Sequence, residues 1–222
     1  MTLIVALDRV SPGEAEQLVA DLCDVVEGFK VGLPFVLSAG VRLVEKLRGA
    51  CPSRLWIADY KLADIGYIMR LVAEEAASWA DAVIAHSFIG VDGGLGELAE
   101  HLAREGKKLI LVVSMSHPGS RDVYDRATPY IAAVVERLRP WGLVAPATRP
   151  EMIALYRRKA PWAKILAPGV GAQGAEPGEA LCAGADYEII GRQVTGAPEP
   201  RAAALLARRR QEERLRLCRA QS

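Results

Sequence analysis

Short apolar runs alternate with longer amphipathic segments along this 222-residue chain, and this alternation limits the possible folds more than any other feature. Each of eight runs has the length of a buried strand, and helical spacing of apolar residues follows most of them. Strands that are separated by helices form parallel sheets, because the crossover helices pack back onto the sheet. The predicted strands are Leu3–Leu7, Phe29–Val31, Leu55–Tyr60, Ala82–Ala85, Lys108–Val113, Leu143–Ala145, Lys164–Ala167 and Tyr187–Ile190.

Eight strands and eight helices in alternation predict a single (β/α)8 TIM barrel over residues 1–222. The alternative is a doubly wound open sheet. The nucleotide-binding form of that fold carries G-x-G-x-x-G after its first strand, and the segment Asp8–Gly13 lacks this motif. Hydrophobic residues at 51% and charged residues at 25% suit a globular protein with a sizeable core. The barrel is therefore the favoured fold.

The charge balance excludes two classes of partner. Lys and Arg number 28 and Asp and Glu 27, so a net charge of +1 gives no general attraction to nucleic acid or to an anionic membrane. The Arg-rich segment Arg208–Arg219 includes Glu212 and Glu213, which favours a solvated helix face. The first apolar run is too short for a signal peptide, and no apolar run approaches membrane-spanning length. We therefore expect a cytoplasmic protein.

The cysteines and histidines do not form a recognisable ligand pattern. The four cysteines are far apart in the chain and contain no C-x-x-C pair, so the sequence predicts neither a zinc site nor a disulfide framework. The three histidines lie in unrelated places, which argues against a His-based metal site. We expect no metal and no cofactor. The residues concerned are Cys23, Cys51, Cys182, Cys218, His86, His101 and His117.

Charged residues gather where the first three predicted strands end. Asp8 follows the first strand, Lys30 lies in the second, and Asp59, Lys61 and Asp64 lie at or after the end of the third. The carboxyl ends of all strands of a barrel open on one rim, and that rim holds the active site. Buried charges need compensating partners, so we expect a network of alternating sign. The alternative is a structural ion pair, with Asp64 as a helix cap.

Two further segments on this rim predict a phosphate site and a polar contact. Pro168–Gly174 is rich in glycine and follows the seventh strand, and Gly191-Arg192 follows the eighth. Barrels often bind phosphate at these two places through backbone N–H groups. Ser116, in the loop Ser114–Gly119, is a candidate hydrogen-bonding group, although Pro118-Gly119 could make this loop a plain turn.

Taken together, six segments resemble orotidine 5′-phosphate decarboxylases in their short archaeal form. The D-x-K-x-x-D-I element is the most specific of them. Related barrels that act on sugar phosphates share D-x-K-x-x-D, but they usually carry an acidic residue near the position of Lys30 and use magnesium. The segments are Ala6–Asp8, Phe29–Gly32, Asp59–Ile65, Met115–Gly119, Pro168–Gly174 and Ile190–Arg192.

The resemblance implies cofactor-independent decarboxylation of orotidine 5′-monophosphate to uridine 5′-monophosphate (UMP), the last step of UMP biosynthesis. It also implies a homodimer in which Asp64 and Ile65 complete the neighbouring site. The implied catalytic residues are Lys30, Asp59, Lys61 and Asp64. The implied substrate contacts are Asp8 to the ribose, Ser116 to the pyrimidine, Gln173 and Arg192 to the phosphate, and further contacts from Ile65, Pro168, Gly169 and Gly191.

The chain departs from the family pattern at two positions. Ile68 stands where the family usually has a threonine that contacts the ligand across the dimer interface, and Ala147 stands where related chains often have serine. Two other functions stay open on the sequence. One is a magnesium-dependent sugar-phosphate decarboxylase or aldolase on the same scaffold. The other is a barrel that binds a nucleotide without turning it over, which the Ile68 departure alone supports.

Overall fold

Eight parallel strands form a closed barrel in the computed structural model, which describes residues 1–220. Each strand pairs with the next along the chain, and the last pairs with the first. The predicted (β/α)8 barrel is therefore confirmed. The strands are β1 (Leu3–Ala6), β2 (Gly28–Gly32), β3 (Leu55–Leu62), β4 (Ala82–His86), β5 (Lys108–Val112), β6 (Gly142–Val144), β7 (Lys164–Pro168) and β8 (Tyr187–Ile190).

The helices agree with the predicted segments except at three places. The sequence pattern predicts one helix from Pro34 to about Arg48, but Gly40 divides it into two. It also predicts a helix from about Ile65 to Trp79, but that helix ends at Glu74. The short helix Arg192–Thr195 was not predicted, whereas the short helix Glu179–Cys182 lies between β7 and β8, where the alternation requires one. Within residues 1–220 no helix is long and apolar enough to cross a membrane. The helices are α1 (Pro12–Leu22), α2 (Leu33–Ala39), α3 (Val41–Ala50), α4 (Gly66–Glu74), α5 (Gly96–Arg104), α6 (Thr128–Leu138), α7 (Pro150–Lys159), α8 (Glu179–Cys182), α9 (Arg192–Thr195) and α10 (Pro200–Ala220).

The apolar core fixes the strands that carry the charged residues. Every residue of β1 and β2 is buried, including Lys30. Phe29 of β2 and Trp56 of β3 are fully buried neighbours, with ring centroids 5.0 Å apart. Burial of each large apolar side chain contributes roughly 1.5–3 kcal/mol. The polar rim is therefore held on a rigid apolar scaffold.

Two disulfides contradict the prediction that the cysteines form no disulfide framework. Cys23, after α1, is bonded to Cys51, after α3, and Cys182 of α8 is bonded to Cys218 of α10. The partners are 28 and 36 residues apart in the chain, yet their Cα atoms lie 5.8 and 6.1 Å apart. That prediction was wrong because only the packing of helices brings these residues together. The spacing of the cysteines along the chain does not indicate which of them lie close together in the fold.

Candidate active site

An irregularity near the end of β3 sets the geometry of the site. Ala58 pairs with Val83 of β4 and Leu62 pairs with Ala85, so four residues of β3 pass while β4 advances by two. Lys61 lies within this bulge at φ 46°, in the left-handed region that non-glycine residues seldom adopt. Such strain persists only where the surrounding structure enforces it, and it is common at functional sites. The bulge therefore re-aims Lys61 at the rim.

Four of the five predicted charges form one continuous network. The Lys30 ammonium lies 2.9 Å from each carboxylate oxygen of Asp8 and 2.7 Å from Oδ2 of Asp59. The Lys61 ammonium donates to Oδ1 of Asp59 at 2.7 Å. The order along the network is thus Asp8, Lys30, Asp59 and Lys61, with alternating sign. No two like charges are adjacent in it.

Burial makes the two central charges depend on their neighbours. Lys30 is 5% exposed and Asp59 is 7% exposed. Burial acts to lower the pKa of the Lys30 ammonium, but the Asp59 and Asp8 carboxylates outweigh it and raise that pKa above its usual value. Burial acts to raise the pKa of Asp59, but Lys30 and Lys61 outweigh it and hold that pKa below its usual value. Both groups are therefore ionised at neutral pH.

Gly32 gives Asp8 the space to join the network. A Cβ at this position would lie 2.2 Å from Oδ1 of Asp8, closer than any side chain permits. Gly32 ends β2, the strand that also carries Lys30, and it pairs with Asp59 of β3. Any side chain at position 32 would therefore displace the Asp8 carboxylate from its place beside Lys30.

Two adjoining cavities open over the network. One has a volume of about 360 Å³ and lies toward β7 and β8, and the other, of about 230 Å³, lies over β3 to β6. They share five lining residues, so they form one bipartite site. The shared residues are Asp8, Lys30, Pro168, Gln173 and Ile189.

Ten of the twelve predicted site residues line one cavity or both. Gly169, Gly191 and Arg192 line the larger cavity alone. Asp59, Lys61 and Ser116 line the smaller cavity alone. The other four are the shared residues Asp8, Lys30, Pro168 and Gln173. The predicted phosphate contacts therefore line the larger cavity, and all four members of the charge network line the smaller one.

The sequence prediction missed the apolar wall of the smaller cavity. Ile84, Val112 and Val144 line it, and they come from three successive strands, β4, β5 and β6. The rule that strand ends form the site points to these positions, but apolar residues there look like ordinary core. Together with Ile189 they give this cavity an apolar surface in addition to the charged residues that line it.

His86 was also missed as a neighbour of the site. Its Nδ1 is hydrogen-bonded to the Tyr124 hydroxyl, and its ring packs against Phe88 at a centroid distance of 5.0 Å. Burial, helped by the nearby positive charge of Lys61, lowers the pKa of His86 to about 4. The imidazole is therefore neutral at neutral pH and links β4 to the loop that follows β5.

Asp64 and Ile65 line neither cavity. The Asp64 carboxylate is exposed and accepts the backbone N–H of Ile65 at 2.7 Å, and within residues 1–220 it has no ion pair. The Ile65 side chain is 61% exposed. Asp64 instead borders a third cavity, of about 350 Å³, together with Lys61 and Ile68. The prediction that Asp64 belongs to the network is thus not met within one chain.

We call residues Gly169–Gly178 the phosphate loop. Ala147, the other departure from the family pattern, lies beside the start of this loop. Ala147 is 2% exposed, and its N–H donates to the carbonyl oxygen of Pro168 at 2.7 Å. A backbone contact thus anchors the start of the loop here.

Among the described residues, no three His, Cys, Asp or Glu side chains are grouped so that they could hold a metal ion.

Comparison with known proteins identifies one family. Residues 1–207 match the model of the orotidine 5′-phosphate decarboxylase / HUMPS family. A protein of Aeropyrum pernix named orotidine 5′-phosphate decarboxylase is 50% identical over 203 residues, which cover 89% of this chain and 83% of that protein. Its namesake in Saccharolobus solfataricus is 41% identical over 198 residues, covering 89% of this chain and 86% of that protein.

Two solved structures of orotidine 5′-monophosphate decarboxylases resemble this chain over nearly its whole length. The crystal structure of orotidine 5′-monophosphate decarboxylase from Sulfolobus solfataricus has a TM-score of 0.89 at 39% identity, covering 96% of this chain and 99% of that one. The enzyme of Methanocaldococcus jannaschii complexed with the inhibitor BMP has a TM-score of 0.85 at 30% identity, covering 96% of each chain.

Proposed function

This chain belongs to the orotidine 5′-phosphate decarboxylase family, and we propose that Lys61 and its charged neighbours carry out the reaction of that family. The reaction converts orotidine 5′-monophosphate to UMP and CO2 in pyrimidine biosynthesis. The observation that carries the proposal is the position of Lys61. Its strained backbone holds the ammonium 2.7 Å from Asp59, where the charge network meets an apolar wall.

The chemistry requires an electrostatic catalyst. Loss of CO2 from C6 leaves an electron pair in an sp2 orbital that the pyrimidine ring cannot delocalise. Lys61 supplies a positive charge beside C6 and then donates the proton that completes UMP. A unit charge about 4 Å away contributes roughly 4 kcal/mol at an effective dielectric constant of 20. The barrier calls for a reduction on the order of 20 kcal/mol, so other terms must contribute.

Asp59 acts on the substrate rather than on the product. Its carboxylate stays ionised, and the substrate carboxylate must lie close to it when C6 lies beside Lys61. Repulsion between the two carboxylates raises the energy of the bound substrate and is relieved as CO2 leaves. Lys30 keeps Asp59 charged and in place through its 2.7 Å contact.

The phosphate group supplies binding energy at a distance from C6. Gln173 and Arg192 line the larger cavity and hold the phosphate, while Asp8, at the junction of the cavities, binds the ribose. Ser116 lines the smaller cavity and binds the pyrimidine. Closure of the phosphate loop on the bound nucleotide excludes water from the network. Phosphate binding thereby strengthens the electrostatic terms at C6.

The functional unit is a homodimer. Asp64 and the exposed Leu33 border the third cavity together with Lys61. The side chains of Ile65, Tyr67 and Leu71, which follow Asp64 in the chain, are also exposed. Contiguous exposed apolar residues favour a protein partner. A second copy that covers these residues receives Asp64 and Ile65 into its own site. This arrangement explains why Asp64 lies outside the network of its own chain.

Lys30 separates this function from that of the magnesium-dependent relatives. Its ammonium fills the space between the Asp8 and Asp59 carboxylates, which would otherwise be open to a cation. Activity should therefore be unchanged in EDTA. Loss of activity in EDTA, with recovery on addition of Mg²⁺, would favour the sugar-phosphate chemistry.

The decisive experiment follows the absorbance change as orotidine 5′-monophosphate is converted to UMP. Wild-type protein should turn the substrate over, and Lys61→Ala should nearly abolish kcat while UMP affinity stays close to that of the wild type. The reason is that Lys61 acts on the carbanion and not on the phosphate or ribose. A Lys61→Ala protein that keeps a substantial fraction of wild-type kcat would remove Lys61 from this role. Saturable UMP binding by the wild type without turnover would indicate a binding protein.

A further inference from the structure

Glu188 is a fully buried carboxylate on β8 that takes no part in the chemistry proposed above. Its neighbour Ile189 lines both cavities, so Glu188 points to the opposite side of the strand, toward the helices. The backbone N–H of Gly178 donates to both carboxylate oxygens at 2.9 Å, and that of Ala180 donates to Oε1 at 3.1 Å. Nε2 of Gln211 donates to Oε2 at 2.9 Å. Glu188 is the acceptor in each of these hydrogen bonds.

These bonds reach the end of the phosphate loop. The loop is closed on itself, because the N–H of Gly171 donates to the carbonyl of Ala175 at 2.8 Å and Val170 forms a bridge with Ala175. A segment with such internal bonds moves as one unit, so its two ends decide which positions it can take. The upstream end is fixed by β7. The downstream end, at Gly178, is fixed by Glu188.

Helix α10 supports the same end from behind. Gly178 has φ 93°, and a Cβ there would lie 2.5 Å from Cβ of Arg214, so the loop end packs directly on α10. Arg214 also donates to Glu179 at 2.7 Å. The disulfide from Cys182 ties α8 to the same helix. Packing on α10, the Cys182–Cys218 disulfide and the Glu188 carboxylate thus all restrain the short segment from Gly178 to Cys182.

We propose that Glu188 is a positioning residue for phosphate binding. It fixes the downstream end of the phosphate loop to β8, the strand that leads directly into Arg192. The separation between Gln173 on the loop and Arg192 after the strand is thereby set for one phosphate group. The inference rests on the proposed function, in which these two side chains hold the 5′-phosphate of the nucleotide.

The variant Glu188→Gln tests this with almost no change in volume. An amide NH2 at this position must face N–H donors, since all the partners of Glu188 donate. Gln211 can turn its amide to accept from this NH2, because the Thr2 hydroxyl 3.0 Å from its Oε1 can accept from the turned NH2. The negative charge and the second bond from the Gly178 N–H are still lost. With one charged hydrogen bond lost, we expect UMP affinity to fall about tenfold. Uridine affinity should not change, since uridine has no phosphate.

Asp81→Asn is the matched control. Asp81 is a partly buried carboxylate that, like Glu188, accepts a backbone N–H, that of Trp56 at 2.9 Å, but it precedes β4 at the opposite rim. The UMP affinity of the Asp81→Asn protein should stay within about twofold of that of the wild type. UMP binding is measured by isothermal titration calorimetry, and uridine binding by ligand-observed NMR.

The possible results distinguish a failure of the positioning role of Glu188 from a failure of the proposed function. Wild-type UMP affinity in Glu188→Gln, or an equal loss for UMP and uridine, would overturn the positioning role. If Glu188→Gln does not fold, Gln211→Ala replaces it, because that change removes a single donor and should weaken UMP binding selectively but less. Unchanged UMP affinity in Gln211→Ala would then overturn the inference. A wild-type protein that does not bind UMP would overturn the proposed function itself.

Discussion

Removal of the Lys30 ammonium should destabilise the protein in a way that depends on pH. In Lys30→Met the Asp59 carboxylate keeps its burial but loses the partner 2.7 Å away, and Asp8 loses its contacts at 2.9 Å. Breaking a buried ion pair from one side costs about 3–5 kcal/mol, and the buried Asp59 carboxylate keeps only the 40% exposed Lys61 as a cationic partner. We expect a loss of this size in the free energy of unfolding at pH 8, measured by guanidinium titration.

The sign of the pH dependence follows from the pKa shifts. In the wild type the pKa of Asp59 is lowered from 3.8 and that of Lys30 is raised from 10.5. The stability that each contributes is lost only as pH falls below the first value or rises above the second, so neither changes it between about pH 4 and 10. In Lys30→Met, the pKa of Asp59 rises relative to the wild type, because Lys61 alone then opposes the effect of burial. As pH falls, the variant binds this proton before the wild type does, so the difference in stability between them shrinks by up to about 1.4 kcal/mol per pH unit.

Lys46→Met is the control for loss of a lysine. Lys46 lies 2.7 Å from Glu16, but both side chains are more than half exposed, at 66% and 51%. Exposed pairs contribute about 0–1 kcal/mol, so this variant should differ little from the wild type. The reasoning is refuted if Lys30→Met costs no more than Lys46→Met. It is equally refuted if the Lys30→Met loss does not shrink as pH falls from 8 toward about 3.

Three further predictions concern the disulfides, His86 and the dimer. Dithiothreitol should lower the melting temperature, because each disulfide contributes about 3 kcal/mol by restricting the unfolded chain; a variant with all four cysteines replaced by alanine should not respond. Stability should fall as pH drops from 6.5 toward about 4, because His86 takes up its proton in the unfolded chain first; a guanidinium titration of His86→Gln should show a flatter profile, and an unchanged one would contradict the shift. Co-expressed Lys61→Ala and Asp64→Ala chains should regain roughly a quarter of wild-type activity, because half of randomly assorted dimers contain one intact site; no recovery in a verified mixed dimer would place Asp64 outside the neighbouring site.

The sequence by itself determined the barrel and most of the rim. Apolar periodicity is a local property of the chain, so eight alternating units predict a closed parallel sheet before any contact is known. Closure then forces the strand ends together. Asp8, Lys30 and Asp59 therefore had to meet, whatever the details of helix packing. The same convergence brought Gln173 and Arg192 to one cavity.

Tertiary structure alone decided the features that depend on distant packing. The left-handed backbone of Lys61 arises from a shift between β3 and β4, which no pattern within β3 reveals. The apolar wall at Ile84 resembled ordinary core until the barrel placed it in the same cavity as the charges. The Cys182–Cys218 disulfide and the bonds of Glu188 exist because α10 folds back on the phosphate loop. Local chemistry chooses strands and helices, but the contacts between helices depend on the packing of the whole chain.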